Sequence, residues 1–249
     1  MKPDFDLQFL QYCDNEDLRA LCDILMYKNS GSIRLNEQLS NTDGYLKYYP
    51  DNMIGMWKEL ASELQCYGGN TILNIFRNGR GPAYEKIVYD VCKKMHVKDI
   101  SKYDTAEEME QKLLIAVSAK IIEELDEIDI RNIMDECEIH DYAHTKAGLM
   151  AALVALQLIN RKLFIMVLNV IMRFLIRILI GRGIMTVGIG LVSRGVGVFF
   201  GPVAWIVLGG WTAWDIMGPA YRVTIPAVVQ VAYMRAKYAA KINLKHECV

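Results

Sequence analysis

Residues 181–221 read GRGIMTVGIGLVSRGVGVFFGPVAWIVLGGWTAWDIMGPAY, and glycines recur in this stretch at intervals of seven residues. One row consists of Gly181, Gly188 and Gly195, and a second row consists of Gly183, Gly190 and Gly197. Because seven residues are close to two helical turns, each row stays on one face of a helix. Small residues at this spacing let helix backbones approach closely, as they do in lipid bilayers. The pattern therefore predicts a tightly packed glycine zipper.

A turn divides this apolar stretch into two arms. Residues 195–214 carry no charge, and their length of 20 residues is enough to cross a hydrocarbon core about 30 Å thick. Gly201 and Pro202 interrupt them, and a glycine–proline pair favours a turn over a continuous helix. We therefore expect a helical hairpin over 183–221.

Two charged residues, Arg194 and Asp215, argue against a permanent membrane span. Each would cost about 2.5–3.5 kcal/mol at the centre of a bilayer. A turn at 201–202 would leave them roughly 9 Å apart in depth, so they would offset each other only in part. We expect a hairpin that inserts conditionally, and the alternative is a hairpin buried within a soluble bundle.

Charge is divided unequally along the chain. Residues 1–141 contain 27 acidic and 16 basic residues, whereas residues 142–249 contain 2 acidic and 12 basic residues. Hydrophobic residues make up 53% of the chain, which is high for a soluble domain. The mean hydropathy of +0.14 is nevertheless low for a polytopic membrane protein. This division suggests a soluble part joined to a membrane-facing part, and the opposite charges can also hold the two halves together.

The cysteines and the N-terminal residues indicate the compartment. The 6 cysteines show no CxxC pair and no disulfide spacing, so we expect free thiols in a reducing environment. The sequence begins with acidic residues, whereas a signal peptide begins with a basic and then an apolar run. We therefore expect a cytoplasmic protein, with membrane contact made at the cytoplasmic face of the inner membrane.

Helical periodicity dominates the rest of the chain, and no alternating strand pattern persists. Helices are predicted over 15–27, 52–67, 83–95, 106–125, 128–139 and 224–242, with helical character throughout 143–180. Asp14 is the predicted cap of the first helix, Pro82 the predicted first residue of another, and Thr105 with Glu108 a capping box.

These elements predict an all-α, multi-helix bundle with a C-terminal, glycine-rich hydrophobic hairpin. The composition divides the chain into a short N-terminal helical module (1–45), an acidic helical domain (46–141) and a basic apolar region (142–249).

A basic stripe follows one side of the otherwise apolar region 143–180. It consists of Arg161, Lys162, Arg173 and Arg177. A helix that is basic on one side and bulky and apolar on the other is typical of the bilayer interface. The alternative is a core helix covered by acidic partners from 1–141.

Two further patterns are candidate sites. Arg77 and Arg80 precede a predicted helix and would suit an anion or a lipid phosphate, although a helix–helix turn is the alternative. His140 and His144 would provide at most two ligands from one helix, whereas a structural zinc site needs four. We find no nucleophile–base set, and basic residues alternate with aliphatic rather than aromatic ones. We therefore expect neither an enzyme, a cofactor nor a nucleic-acid partner.

Three passages resemble a known family: FDLQFL with NEDL near the start, ELQCYGGNTI at 63–72, and GPAYRVTIPA at 218–227. They are similar to the YaaW-like family of uncharacterised bacterial proteins, and the match spans nearly the whole chain. The middle region of that family has been grouped with ubiquinol–cytochrome c chaperones. The resemblance implies a helical middle and an apolar C-terminal region, and it provides no site residues.

The sequence thus predicts a non-enzymatic protein whose partner is the lipid bilayer. Oligomerisation through the glycine faces would make the hairpin permeabilising. The first alternative is an assembly chaperone with a membrane respiratory complex as its client. The second is a soluble interaction protein with a buried hairpin.

Overall fold

The protein is a bundle of helices in a computed structural model. The structure describes residues 4–27, 38–68, 81–181 and 221–247, with 172–181, 222 and 243–247 described by their backbone alone. The α-helices in these ranges are α1 (Asn15–Met26), α2 (Asp43–Tyr48), α3 (Trp57–Gly68), α4 (Tyr84–Lys94), α5 (Ala106–Glu124), α6 (Glu127–Glu136), α7 (Lys146–Ile159), α8 (Arg161–Gly181) and α9 (Tyr221–Glu247). Short 3₁₀ helices span Phe5–Tyr12, Leu39–Asn41 and Met53–Met56. No β-strand occurs in the described ranges, and the prediction of an all-α fold is confirmed.

Helix α9 lies at the centre of the bundle. It packs against α1, α3, α4, α5, α8 and the 3₁₀ helix Phe5–Tyr12. Residues 223–234 are buried without interruption, so all faces of this part of the helix are enclosed. A helix that is apolar on every side requires such an environment.

A single hydrophobic core joins the three regions that composition distinguishes. Its members include Leu10 from the N-terminal module, Leu113 from the acidic region, and Ile171 and Val228 from the basic apolar region. The boundaries at 45 and 141 remain predictions from composition, and apolar packing crosses both of them.

The N-terminal ends of α1, α4 and α5 can be compared with the caps predicted from the sequence. At the start of α5 the Glu108 N–H donates to Thr105 Oγ1 at 3.3 Å, and the Thr105 N–H donates to Glu108 Oε2 at 2.7 Å. This capping box is confirmed. Asp14 does occupy the cap position of α1, but its side chain accepts no capping hydrogen bond. Pro82 lies just before Ala83, the N-cap of α4, and the expectation that Pro82 is the first helical residue is wrong.

The apolar region 143–180 contains two helices separated by Asn160. The side chain of Asn160 caps α8, because its Oδ1 accepts a hydrogen bond from the Leu163 N–H at 3.0 Å. Asparagine is among the preferred N-cap residues since its short side chain satisfies an otherwise unpaired N–H group. One polar residue therefore ends α7 and begins α8, at the start of the polar run 160–162 in an otherwise apolar region.

Helices α5 and α7 run in opposite directions. Lys146 Nζ donates to the Glu123 carbonyl at 2.6 Å, near the end of α5 and the start of α7. At the other end Gln157 Nε2 donates to the Gln111 carbonyl at 3.0 Å. The inner face of α7 is thereby fixed against α5.

Helices α8 and α9 pack against each other. Arg161 and Phe164 of α8 line one cleft together with Ala232, Arg235 and Ala236 of α9. Further along α8, Asn169 Oδ1 accepts a hydrogen bond from the Tyr233 hydroxyl at 2.9 Å. The two helices that flank residues 182–220 in the chain are therefore joined within one bundle.

Candidate functional site

Most residues of the predicted hairpin lie outside the described ranges. Gly181 is the last residue of α8. The remaining glycine-zipper and turn positions, Gly183, Gly188, Gly190, Gly195, Gly197, Gly201 and Pro202, fall within 182–220. The same is true of the charges at Arg194 and Asp215, and the candidate anion-binding residues Arg77 and Arg80 lie in another range that is not described. These assignments stay predictions.

The basic stripe begins against the acidic part of the chain. Arg161 Nη1 donates to Glu107 Oε1 at 3.1 Å, and Lys162 is exposed. The side chains of Arg173 and Arg177 are not described. The apolar face over 164–171 is buried, with α5, α6, α7 and α9 packed around the helix. Over these residues the environment is that of a core helix with an acidic partner.

The two histidines are not brought together with further metal ligands. His140 and His144 are both exposed, and His144 Nδ1 lies 3.8 Å from Asp135 Oδ1. No group of three or more His, Cys, Asp or Glu side chains suited to a metal ion occurs in the described part of the chain. Among the described residues, this pair therefore has no third metal ligand.

A buried polar cluster, here defined as Glu110, Arg235 and Tyr84, is the most enclosed arrangement of ionisable groups. Arg235 Nε of α9 donates to Glu110 Oε2 of α5 at 2.5 Å, and Arg235 Nη2 donates to Glu110 Oε1 at 3.3 Å. The Tyr84 hydroxyl of α4 donates to Glu110 Oε1 at 2.7 Å. Only 2% of the Glu110 side chain and 15% of the Arg235 side chain are exposed. The two-point contact fixes the orientation of both groups.

The N-terminal residues complete this cluster. The Asp6 carbonyl accepts a hydrogen bond from Arg235 Nη2 at 2.6 Å, and the guanidinium carbon lies 4.1 Å from the centre of the Phe9 ring. Asp4 Oδ2 accepts from the Tyr84 N–H at 2.9 Å and thereby satisfies a donor at the start of α4. Four separate elements of the chain thus meet at Arg235.

The electrostatics of the cluster favour a charged pair. Burial disfavours the positive charge, but the Glu110 carboxylate outweighs burial and raises the pKa of Arg235. Burial also raises the pKa of Glu110, with Arg235 and the Tyr84 hydroxyl acting in the opposite direction. Since guanidinium groups remain protonated in proteins, Arg235 opposes the effect of burial on the Glu110 carboxyl group.

Beside the buried cluster lies a small polar cleft. Glu107, Gln111, Gln157 and Arg161 form its other polar walls. Its volume of about 20 Å³ accommodates about one water molecule. The cleft and cluster are therefore suited to holding helices together, and the cleft has no room for an organic substrate.

An outer cluster, here defined as Asp14, Asp17, Lys237 and Lys241, connects α9 to α1. Lys237 Nζ lies 2.7 Å from Asp17 Oδ2 and 2.9 Å from Asp14 Oδ2, and Lys241 Nζ lies 2.5 Å from Asp14 Oδ1. Burial raises the pKa of Asp17. At Asp14 burial acts in the same direction, but the two lysines prevail and lower the pKa.

Both clusters join the acidic half of the chain to the basic half, as the charge division predicts. The sequence patterns alone did not identify Glu110 as the partner of Arg235. A signal for Glu110 was present, because Ala106, Glu110, Leu113 and Val117 fall on one helical stripe that is otherwise apolar.

None of the helices in the described ranges is both long and apolar enough to cross a membrane.

Comparisons with known proteins identify relatives over most of the chain. A family described as a domain of unknown function, DUF3944, matches residues 1–35, which include the 3₁₀ helix Phe5–Tyr12 and α1. A UPF0174 protein of Helicobacter pylori strain J99 is 34% identical over 237 residues, covering 95% of this chain and 92% of the relative. The UPF0174 protein YaaW of Escherichia coli K12 is 33% identical over 246 residues, covering 95% and 96%. No solved structure matches. The predicted YaaW-like resemblance is confirmed, and the chain belongs to the UPF0174 family.

Proposed function

We propose that this is a non-enzymatic protein that associates with the cytoplasmic face of the inner membrane by inserting the hairpin 183–221. The observation that carries this proposal is the packing of α8 against α9, the two helices that flank residues 182–220 in the chain. The segment between them therefore leaves and returns to one folded body. This suits an inserted hairpin, because its two arms must enter and leave at one membrane surface.

A contact between these two helices lies near the hairpin in the chain. Asn169 and Tyr233, which form it, lie twelve residues from Gly181 on α8 and twelve residues from Tyr221 on α9. Residues 223–234 of α9 are buried in the core, so the bundle holds α9 through contacts outside the hairpin. The folded body can therefore remain intact during insertion.

A lysine lies beside the first residue of α9. Lys94 Nζ lies 5.5 Å from the centre of the Tyr221 ring, and the neighbouring Lys93 is exposed. Lysines near an apolar segment are attracted to anionic headgroups of the cytoplasmic leaflet. Their position supports an approach to the membrane with this end of the bundle forward.

The packing of α8 narrows the membrane-binding region. Its apolar residues over 164–171 are buried by other helices except for Met166, so most of the apolar face of this part of the predicted interfacial helix is not available to lipid. We assign membrane contact to 183–221, with Arg173 and Arg177 close to the headgroups in the last turns of α8.

The test is membrane fractionation with a carbonate wash, followed by leakage from liposomes that contain anionic lipid. We expect the wild-type chain to remain with membranes and to release an encapsulated dye. Gly190→Leu fills one glycine row and should reduce leakage while retaining binding, whereas Ile189→Leu, at the neighbouring position, should behave as wild type. A wild-type chain that is entirely soluble and does not bind the liposomes would refute the proposal.

A further inference from the structure

Helix α7 is apolar on its outer side as well as on its inner side. The inner side packs in the core through Leu149, Leu153 and Leu156. The outer side is a line of exposed residues, Ala147, Ala151, Val154 and Leu158. The exposed fraction is 42% for Val154 and 77% for Leu158. A helix that is apolar all round is normally enclosed, so the outer face of α7 has the character of an interface.

The residues on this outer face are complementary to themselves in an antiparallel arrangement. If two α7 helices pack in opposite directions about a point midway between Ala151 and Val154, each Val154 faces an Ala151 of the other copy. Each Leu158 then faces an Ala147. A large side chain therefore meets a small one at every position, which permits close packing without a clash.

The charges at the two ends of α7 fit the same arrangement. Residues 135–146, up to the first residue of α7, contain four acidic residues and one basic residue, Lys146, whose ammonium group donates to the Glu123 carbonyl. Glu138 and Asp141 in this segment are exposed, and Lys162, just after α7, is exposed too. Opposite directions place the acidic end of one α7 beside the basic end of the other, whereas a parallel pair would place like charges together.

We infer that the outer face of α7 is the interface of a two-fold symmetric homodimer, with the two α7 helices packed antiparallel. A two-fold axis requires a surface that is complementary to itself, and α7 has this property in both side-chain size and charge. An anionic bilayer suits the face less well, because the acidic residues at one end would be repelled by the headgroups. The dimer contact is separate from the hairpin and does not depend on membrane insertion.

The first experiment maps the register of the two helices by cross-linking the full-length chain. Single substitutions Ala147→Cys, Ala151→Cys, Val154→Cys and Leu158→Cys are made in a Cys66→Ser, Cys248→Ser background and treated with a short bismaleimide. In the antiparallel pair the two copies of position 151 are offset by about 4.5 Å along the helix axis, and those of position 147 by about 16 Å. We expect cross-linked dimer at 151 and 154 and little at 147 and 158. Equal cross-linking at all four positions, or none at any, would overturn the inference.

The second experiment measures the mass in solution by sedimentation. The wild-type chain should be a dimer that dissociates at low concentration, and Leu158→Glu should weaken the dimer at least tenfold. Leu46→Glu is the matched control, because Leu46 is 74% exposed on α2, outside the α7 face. A wild-type monomer, or a Leu158→Glu chain as dimeric as the control, would contradict the inference. A Leu158→Glu chain that stays as dimeric as the control but no longer binds liposomes would contradict it in favour of a lipid-binding face.

Discussion

The two ionic clusters on α9 attach the same helix in different environments. In the buried cluster a single guanidinium meets a single carboxylate, of which only 2% is exposed. In the outer cluster two lysines share two aspartates, and the exposed fractions reach 40% for Asp14 and 48% for Lys241. The outer cluster has more ion pairs, but water already solvates its charges and screens them.

Burial rather than the number of ion pairs therefore determines how strongly the loss of one partner destabilises the folded protein. An exposed pair contributes little because its members are solvated when they separate. Water cannot solvate the members of a buried pair in the same way, so the loss of one partner leaves an uncompensated charge inside the protein. Four sets of variants test this difference between the two clusters.

The largest effect is expected for Glu110→Ala. It leaves the Arg235 guanidinium buried without its carboxylate, and we expect the free energy of unfolding to fall by about 3–5 kcal/mol. Urea denaturation measures this change. Glu107→Ala is the matched control on the same helix, since Glu107 is 47% exposed in its pair with Arg161 and should contribute less than about 1 kcal/mol. Equal losses in the two variants would show that burial does not distinguish the pairs.

A smaller loss in the free energy of unfolding is expected when the whole buried cluster is replaced by apolar groups. Glu110→Leu together with Arg235→Met and Tyr84→Phe removes both charges and the hydroxyl that would lose its acceptor. We expect this triple variant to be more stable than Glu110→Leu alone, by on the order of 2 kcal/mol. The same urea titrations test this, and a triple variant less stable than the single one would mean that the pair contributes more than its desolvation costs.

Asp23 provides a third carboxylate for the comparison, on α1 with Asp14 and Asp17 but beside Tyr49. The Tyr49 hydroxyl lies 3.4 Å from Asp23 Oδ1, and burial raises the pKa of Asp23 to about 6, against the opposing charge of Arg19. The folded state consequently binds a proton that the unfolded state has released, so stability falls as the pH rises from about 4 to about 6. Asp23→Asn should stabilise the protein at pH 7 by about 1 kcal/mol and flatten this slope.

Unfolding curves at several pH values measure the effect of Asp23→Asn. Asn keeps the oxygen that accepts from Tyr49 and removes the charge. An unchanged slope between pH 4 and pH 6 would show that Asp23 does not titrate in this range.

The smallest effect is expected for Lys241→Ala in the outer cluster. The variant should lose less than about 1 kcal/mol at low salt and nothing measurable at about 0.5 M salt. Since the lysines lower the pKa of Asp14 against the effect of burial, the stabilisation is present above about pH 4 and is lost as the pH falls through the folded value. Thermal unfolding at two salt concentrations tests this. A loss of stability that persists at high salt would show that the Lys241–Asp14 pair is shielded from solvent, as the buried cluster is.

Local patterns predicted most of the helices and one cap correctly. Thr105 and Glu108 are three residues apart, so the capping box depends only on the backbone that joins them. The break at Asn160 was missed because hydrophobic periodicity does not register a single capping residue. The stripe of Ala106, Glu110 and Leu113 contained the information that Glu110 is buried, but not which cation accompanies it.

The residue types alone establish an all-helical chain with an acidic first half and a basic, apolar second half, because periodicity and charge are properties of neighbouring residues. The order of the chain does not reveal that α9 is enclosed by α1, α3, α4, α5 and α8. Nor does it reveal that Arg235 binds Glu110, which lies 125 residues earlier. In water each of these charges is solvated and has no fixed partner. Packing brings two particular charges together away from water, so the tertiary structure determines which opposite charges meet.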